Sequence, residues 1–558
     1  MTARSVAGTA RRVARDVGTI VAGTRADGSG WSPGAVARDL GDYARVVRLL
    51  ARGDGPGASV AADRLLVVHP GVRMALHAAA FHSSRRGELT ASLVATRRLR
   101  AMHETRRLRD REQELEDRLL ETDPAWLPQI DGQPSPTPVR SRTAVMHLLK
   151  TSLPQRQSGY TIRSAATLRA QRSVGLEPFA VTPFGFPPAT RGVVPATEEI
   201  VEGIVHHRLL PGVDLAGVTA TEQLSRTAAL AVEVMRHEGP AIVHAHSGHH
   251  GYDYGLVAAA LKAHTGRPFV YEVRGFLEAS WTSNQLIAER AEQAELTLRR
   301  LATEARVMAA ADGIATLGTA MRDELVARGV PADRIELVPN GIDPEAFTPA
   351  PRDTELARSL GLEGRWVFGY ISNLDHFREG QGLLIDAAGL LVAEGRQVAC
   401  LIVGDGLRRQ ELEAQVARQG LRSTVVFTGR VPHDRVRDHY LLLDAFVVPR
   451  VADRAARFTT PLKPYEAMAL EIPLVVSDLP ALVEIAAPDE RGLAFPAGDA
   501  AALADRLRVL MDHPETARRI AVAGREWVVA ERTWSSNARR YAALYERILE
   551  RYPDPPPG

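Results

Sequence analysis

The sequence predicts an α/β protein built on parallel sheets, with a mostly helical segment before them. Two short apolar runs, residues 445–449 (AFVVP) and 473–477 (PLVVS), are bounded by turn residues, as buried parallel strands usually are. Between them, residues 459–469 (TTPLKPYEAMA) read as a loop that leads into a helix. Because open α/β sheets bind ligands at the carboxyl ends of their strands, this loop is the first candidate for a functional site.

The start of the predicted helix is suited to a phosphate group. Pro464 fits a first helical position, and the unpaired amides and the dipole of a helix start favour an anion. Lys463 and Arg450 add formal positive charge, and Glu466 can accept hydrogen bonds from two neighbouring sugar hydroxyls, such as those of a ribose. The alternative is an ordinary exposed helix on which Lys463 and Glu466 are solvated.

Length and composition fit a large enzyme with two or three domains. The chain has 558 residues, of which 45% are hydrophobic, and a formal net charge of +2 that argues against a general nucleic-acid binder. The single cysteine, Cys400, lies in an apolar run and cannot form an internal disulfide, as expected in the cytoplasm. No apolar run approaches eighteen residues, and Gly and Arg interrupt the N-terminus, so we expect neither a membrane span nor export.

Residues 1–122 are predicted to form a separate, basic, helical module. They contain 21 Arg and no Lys against 14 acidic residues, a net charge of +7, whereas the rest of the chain has 48 basic and 53 acidic residues. Apolar positions spaced among charges from residue 61 to 121 indicate amphipathic helices. Either these helices have solvated faces, or they dock on an anionic membrane surface or a partner helix.

Regular α/β structure is predicted to begin near residue 145, where an apolar strand precedes a loop and a helix. Gly159 in that loop permits close approach of the backbone to a ligand, and the alternative is a simple turn. Two later strands end in polar residues. His246 is either a hydrogen-bonded core residue or a ligand contact, and Glu272 and Arg274 form either a structural ion pair or part of a cleft.

Residues 461–469 resemble the Pro-Leu-Lys-Pro-x-Glu-Ala-Met-Ala signature of bacterial family 4 retaining glycosyltransferases of the GT-B fold. The resemblance covers about residues 141–550. Residues 335–343 resemble the segment between the two domains of that fold, and residues 401–406 and 427–431 resemble strand ends beside the nucleotide base.

The loop after the first strand adds a narrower resemblance. Residues 152–163 (SLPQRQSGYTIR) are similar to the N-terminal loop of glycosyltransferases associated with exopolysaccharide and exosortase systems. In the broader family this loop faces the donor diphosphate across the cleft.

The resemblance implies an α/β protein of the GT-B fold, in which two Rossmann-like domains face a cleft after the helical N-terminal module. The implied segments are the basic module 1–122, a Pro-rich linker 123–140, an acceptor domain 141–343, a nucleotide-sugar domain 344–534, and a final helix 535–552 that crosses back to the first domain.

The resemblance also implies roles for individual residues. Arg450 and Lys463 would neutralise the leaving diphosphate with Arg378 in reserve, Glu466 would hold the ribose, and His246 would contact the sugar. The remaining implied substrate contacts are Gly159, Glu272, Arg274, Gly404, Asp405, Gly429, Arg430, Val431, Thr460, Pro461 and Leu462. No Asp-x-Asp motif is present, so we expect no metal and no cofactor besides the nucleotide-sugar substrate.

Two departures from the family pattern bear on function. Phe458 stands where many members have a sugar-reading Glu, and residues 372–374 and 378–380 replace the usual Arg and Lys-Gly pair. The preferred interpretation is a retaining glycosyltransferase that moves a sugar from a nucleoside diphosphate to a cell-surface glycan or lipid-linked acceptor, in the cytoplasm or on the inner face of the membrane. The alternatives are a noncatalytic GT-B module that recruits glycan-assembly partners, and a synthase with a soluble sugar acceptor.

Overall fold

The computed structural model describes residues 3–22, 32–190, 193–282, 291–432 and 435–552, and two β-sheets organise most of the chain. The strands of the first sheet are Ser141–Leu148 (β1), Glu177–Thr182 (β2), Glu198–Val201 (β3), Ile204–Arg208 (β4), Pro240–His246 (β5), Phe269–Val273 (β6), Gly313–Thr316 (β7) and Ile335–Leu337 (β8). They lie in the order β3-β4-β2-β1-β5-β6-β7-β8, and all neighbours are parallel except β3 and β4.

The second sheet is entirely parallel. Its strands are Trp366–Ile371 (β9), Val398–Val403 (β10), Val425–Gly429 (β11), Ala445–Val448 (β12), Leu474–Ser477 (β13) and Leu493–Phe495 (β14). Their order, β11-β10-β9-β12-β13-β14, reverses between β9 and β12, as in a doubly wound Rossmann sheet. The strands predicted from the runs at 445–449 and 473–477 are β12 and β13, so the predicted fold class is confirmed.

Helices cover both sheets. After residue 141 they are Gly159–Ser173, Ala220–Glu238, Asp253–Thr265, Leu277–Thr282, Glu295–Ala310, Thr319–Ala327, Thr354–Ser359, Gln381–Ala393, Arg409–Arg418, Val436–Tyr440, Arg454–Phe458, Lys463–Ala469, Pro480–Ala486, Ala500–Asp512, Pro514–Glu531 and Trp534–Leu549. Helix Gly159–Ser173 begins with a capping box, in which the Ser158 and Thr161 side chains each bond the other residue's backbone amide.

The last helix, Trp534–Leu549, packs on the first sheet rather than the second. Tyr541, Leu544, Tyr545 and Ile548 form a buried cluster with side chains of β1, β5, β6 and β7. The two chain segments that connect the domains also pair with each other, since the Ile342 amide donates to the Arg532 carbonyl at 2.8 Å. The domain boundaries in the sequence interpretation stay predictions.

The N-terminal part of the chain is helical, as predicted. Its helices are Ala3–Ala22 (α1), Pro33–Ala51 (α2), Gly55–Val68 (α3), Arg73–His82 (α4), Leu89–Met102 (α5) and Arg106–Glu121 (α6). They form a compact unit of residues 1–129 that also takes in segments 215–226 and 284–306. Its core includes Tyr43, Val46, Leu65 and Ala75. Among the described residues, no helix is both long and apolar enough to cross a membrane.

Candidate active site

A cleft of about 410 Å³ lies at the carboxyl ends of both sheets. On one side it is lined by residues that follow β1, β5, β6 and β7, namely Lys150, Ser247, Arg274 and Leu317. On the other side it is lined by Ser372 and Asn373 after β9, and by Arg450 after β12. Since strand order reverses between β9 and β12, the cleft lies at the topological switch point, where such sheets bind ligands.

The loop predicted as a functional site forms part of this cleft. Residues 459–463 line it, and the following helix begins at Lys463 with Pro464 in its first turn. This helix has only seven residues, so the formal charge of Lys463 matters more than the dipole. Gly159 lines the opposite wall, and a Cβ atom on it would lie 3.5 Å from Leu462 Cδ1. The structure therefore brings the two loops predicted from sequence together.

Lys463 and Glu466 interact with each other in the first turn of the helix. Lys463 Nζ lies 3.4 Å from Glu466 Oε2, and the Tyr440 hydroxyl donates to the same oxygen at 2.7 Å. Glu466 is buried and is not among the residues that line the cleft. Among the described residues, both hydrogen bonds of the Glu466 carboxylate are made by Oε2, and none is made by Oε1.

The charge of Arg450 is neutralised inside the protein. Its Nη2 lies 3.1 Å from Glu379 Oε1, and its Nη1 donates to the Thr459 carbonyl at 2.8 Å. Burial alone would lower the pKa of Arg450, but Glu379 outweighs it and raises that pKa. Tyr370 also donates to Glu379. Arg450 thus lines the cleft in an ion pair that holds the 459–463 loop, and its role as a phosphate cation stays a prediction.

The position of Arg378 gives little support to its predicted role as a reserve phosphate cation. Its Nε lies 4.0 Å from Glu379, the partner of Arg450, and Arg378 is not among the residues that line the cleft. Burial lowers the pKa of Arg378.

Glu272 is the centre of a buried polar network in the first domain. It accepts hydrogen bonds from Arg163 at 2.9 Å, from Arg274 at 2.9 Å and from the Tyr541 hydroxyl at 2.8 Å. Burial alone would raise the pKa of Glu272, but Arg274 and Arg163 outweigh it and hold the pKa well below its usual value. Glu272 and Arg274 therefore form a buried ion pair, and Arg274, like Arg163, also lines the cleft, whereas Glu272 does not.

His246 belongs to the same network and is fully buried. Its Nε2 lies 2.8 Å from His147 Nδ1, while its Nδ1 contacts Arg274 and lies 3.2 Å from Glu272. Burial, followed by the charge of Arg274, lowers its pKa well below the usual value, so the ring is neutral at pH 7. Both ring nitrogens have protein partners and the ring does not line the cleft, so the contact of His246 with a donor sugar stays a prediction.

The residues predicted to contact the base lie at the ends of β10 and β11. The Gly404 amide donates to the Gly429 carbonyl at 3.0 Å, and a Cβ atom on Gly404 would lie 1.8 Å from the Ser372 carbonyl oxygen. Asp405 and Arg430 are exposed, and Val431 is half-buried. None of these five residues lines the cleft itself, although they lie at the same edge of the sheet as Arg450.

Lys150 was missed by the sequence interpretation. The chain has only three lysines, Lys150, Lys262 and Lys463, among 69 basic residues, and two of the three line the cleft. Lys150 Nζ donates to the Gly248 carbonyl at 3.0 Å and lies 4.6 Å from the centre of the Tyr160 ring. Burial lowers its pKa to about 8. The rarity of lysine in this arginine-rich chain is the sequence signal that could have identified Lys150.

Phe458 connects the two domains. Its ring meets that of Phe276 edge-on, with the ring centres 5.5 Å apart. At the position where the family pattern predicts a Glu, this chain therefore has an apolar contact between the two domains.

Two known families match this chain, one in each of its two domains. Residues 158–341 match the family described as "Glycosyl transferase 4-like domain", and residues 365–513 match "Glycosyl transferases group 1". The 2-deoxystreptamine glucosyltransferase of Streptomyces kanamyceticus is 31% identical over 252 residues, which are 44% of this chain and 64% of that protein. The chain therefore spans less than two thirds of the length of that relative.

Solved structures share the fold. The sucrose-phosphate synthase of Thermosynechococcus elongatus superposes with a TM-score of 0.59 at 20% identity, over 73% of this chain and 99% of that protein. Anabaena HepE, solved in complex with UDP-glucose, superposes with a TM-score of 0.53 at 17% identity, over 73% and 99% of the two chains. At these identities the likeness establishes the two-domain architecture.

Proposed function

We propose that the chain is a family 4 glycosyltransferase of the GT-B fold, which transfers a sugar from a nucleoside diphosphate to an acceptor hydroxyl. The observation that carries this proposal is the cleft at the switch point of the second sheet. There Lys463 and the 459–463 loop lie opposite Gly159, and Lys150 adds a second ammonium group. This arrangement suits a diphosphate between two domains.

In the proposed reaction, the bond between the sugar C1 and the diphosphate oxygen breaks while the acceptor oxygen bonds to C1. The hydroxyl proton leaves with the nucleoside diphosphate. Lys463 and Lys150 stabilise the negative charge that develops on the leaving group. Arg450, paired with Glu379, acts by holding the Thr459 carbonyl and hence the loop. Glu466 binds the ribose through Oε1.

The finer features of the reaction rest on the family resemblance. We propose that the anomeric configuration is retained and that no divalent metal takes part, because the chain has no Asp-x-Asp motif. A chelator such as EDTA should therefore leave transfer unchanged. The relative from S. kanamyceticus carries "glucosyltransferase" in its name, so a hexose is the first donor sugar to test.

We propose a cell-surface glycan or a lipid-linked sugar as the acceptor. The likeness of residues 152–163 to exopolysaccharide and exosortase-associated enzymes supports this class, and the net charge of +7 on residues 1–122 supports a position beside an anionic membrane. A noncatalytic GT-B module is the second candidate, because Glu379 neutralises Arg450 and Phe458 replaces a sugar-reading carboxylate.

A nucleotide-binding experiment distinguishes the glycosyltransferase from the noncatalytic module. We would measure melting shifts with UDP, GDP, ADP and their sugar conjugates for wild type, Lys463→Ala and Lys262→Ala, which removes the same charge outside the cleft. Ligand at about a hundredfold its Kd stabilises the protein by roughly 2.7 kcal/mol. A shift with one nucleotide that Lys463→Ala loses and Lys262→Ala keeps is expected. No shift with any nucleotide would overturn the donor site and favour the noncatalytic module.

A further inference from the structure

A second pocket, of about 230 Å³, lies within the N-terminal helical unit. It is lined by residues of α1, α4, α5 and the start of α6, and it belongs to a different unit from the cleft. Sites that enclose a drug-sized ligand measure ~300–1,000 Å³, so this pocket suits a small headgroup and the first part of a chain.

One part of the pocket lining is apolar. Met74, Phe81, Leu99 and Met102 contribute side chains to it, and none of the four is fully buried. Met102 is 40% exposed and lines the pocket together with the other three. This surface would gain from contact with an apolar group.

The other part is cationic. Arg12, Arg73 and Arg107 line the pocket, and the Arg107 guanidinium carbon lies 4.4 Å from the centre of the Phe81 ring. Burial, and then the charges of Arg107, His82 and Arg12, lowers the pKa of His77 to about 4, so the pocket gains no charge from that ring at pH 7. The guanidinium groups therefore supply the charge of the site.

Among the residues that the structure describes, Arg73 and Arg107 have no counter-ion. Within the described ranges of the chain, no carboxylate lies within 4.0 Å of either guanidinium group. The nearby acid Asp16 is buried, and its oxygens accept hydrogen bonds from the backbone amides of Arg73 and Met74 at 3.0 and 2.9 Å. By contrast, Arg100 on α5 is paired with Glu112 at 2.6 Å. An external anion would satisfy the two unpaired groups.

We propose that this pocket binds the phosphate end of an anionic amphiphile, such as a lipid phosphate. Arg73 and Arg107, with Arg12 beside them, bind the phosphate. A guanidinium group can donate two parallel hydrogen bonds to phosphate oxygens. Met74, Phe81, Leu99 and Met102 contact the first methylenes of the chain. This site would hold the protein at a membrane by one lipid molecule, and it stands whether or not the proposed transferase activity holds.

The test uses the full chain and octyl phosphate below its micellar concentration, with inorganic phosphate and octyl glucoside as the two half-ligands. Titration calorimetry should show octyl phosphate binding at least about tenfold more tightly than either half-ligand, since charge and chain contribute together. Equal affinity for inorganic phosphate would indicate a simple anion site, and equal affinity for octyl glucoside a simple apolar patch. Either outcome would overturn the proposal.

Variants assign the binding to the pocket. Arg73→Gln with Arg107→Gln should weaken octyl phosphate binding at least about tenfold. Arg38→Gln with Arg45→Gln removes the same charge from exposed α2 positions outside the pocket and should leave binding unchanged. Leu99→Ser should weaken octyl phosphate but not inorganic phosphate, which keeps the apolar contribution testable if the double variant fails to fold.

Vesicles distinguish one lipid in a pocket from general attraction to a charged surface. Phosphatidylcholine vesicles with a minority of phosphatidylglycerol should bind wild type and the α2 control alike, and should bind the pocket variant much less. An equal loss for both double variants would show that the overall charge of the module acts, and the pocket proposal would be wrong.

Discussion

Glu379 is the residue at which this cleft differs most from a simple anion site. It holds Arg450 in a buried ion pair and accepts a hydrogen bond from Tyr370. A carboxylate among the cations of a diphosphate site lowers the positive potential that would attract the ligand. It also keeps Arg450 in place, and Arg450 in turn holds the Thr459 carbonyl. Glu379 therefore fixes the 459–463 loop through Arg450, but it also lowers the positive potential of the cleft.

Glu379→Gln should separate these two effects. Arg450 would lose its buried counter-ion, so we expect the free protein to be less stable by roughly 3–5 kcal/mol. Binding of the nucleoside diphosphate should become tighter, because the charge of Arg450 is no longer neutralised. Melting without ligand and calorimetric titration with it measure the two quantities. Unchanged affinity would mean that the field of Arg450 does not reach the nucleotide.

Lys150 predicts a pH dependence of binding. Burial lowers its pKa to about 8, opposed by Asp253 and reinforced by Arg274 and Arg156. The ammonium group is therefore charged at pH 7 and largely neutral at pH 9. Nucleoside diphosphate binding should weaken over that range in wild type. Lys150→Arg should keep its affinity at pH 9, and Lys150→Met should show a flat profile at lower affinity. A flat profile in wild type would contradict the role of Lys150.

The lowered pKa of Lys150 also makes the free energy of unfolding depend on pH. The folded pKa of about 8 lies below the ordinary lysine value of 10.5, so the unfolded chain binds more protons between these two pH values. The contribution of Lys150 to the free energy of unfolding therefore rises with pH through that window, opposite to its effect on binding.

At the scale of elements, the last helix ties the sheet of the first domain to its buried network. The Tyr541 hydroxyl donates to Glu272, and the Tyr545 hydroxyl contacts His244 and accepts from Gln171. These bonds join a C-terminal helix to strands near residues 244 and 272. The helix is thus part of the first domain although its sequence follows the second.

Tyr541→Phe should lower the stability by about 1–2 kcal/mol, because one buried oxygen of Glu272 loses its hydroxyl donor. Tyr552→Phe removes a hydroxyl bond to Asp312 at a half-buried position and is the matched control, with a smaller expected loss. Differential scanning calorimetry compares the two melting temperatures. An equal or larger loss for Tyr552→Phe would contradict a stabilising role for the buried network.

The elements that sequence predicted well are those with local signals. Strands β12 and β13 show as apolar runs between turn residues, and the helix at Lys463 is marked by Pro464. The surroundings of His246 and Glu272 were harder to predict, because His147, which contacts His246, and Tyr541, which donates to Glu272, are far away in the chain. A strand pattern predicts that a polar residue at the strand's end lies near the edge of a sheet. Only the folded structure shows which groups surround it.

For the whole molecule, direct contacts hold the two domains around the cleft. The Glu484 carboxylate accepts hydrogen bonds from the Thr319 amide at 2.8 Å and from its hydroxyl at 3.1 Å, which caps a helix of the first domain from the second. Arg454 lies 3.1 Å from Glu324, and the Asn340 amide donates to the Thr460 carbonyl at 2.9 Å. These bonds favour a closed arrangement.

Glu484→Ala should therefore open the cleft and weaken nucleotide binding without touching a cleft residue. Glu490→Ala is the control, since Glu490 is exposed and pairs with Arg491 in its own domain. Small-angle scattering should give a larger radius of gyration for Glu484→Ala alone. If both variants match wild type in radius and affinity, the interdomain cap does not control closure.

We expect this cleft to transfer a sugar from the bound nucleotide conjugate. The most direct measurement is release of nucleoside diphosphate from the sugar conjugate that the binding panel identifies, followed in the presence of membrane-derived glycan and lipid acceptors. Release matched by incorporation of labelled sugar, abolished in Lys463→Ala and retained in Lys262→Ala, is the predicted result. Binding of the nucleotide with release no faster than in Lys463→Ala would contradict the claim and identify a module that binds nucleotide sugars without transferring them.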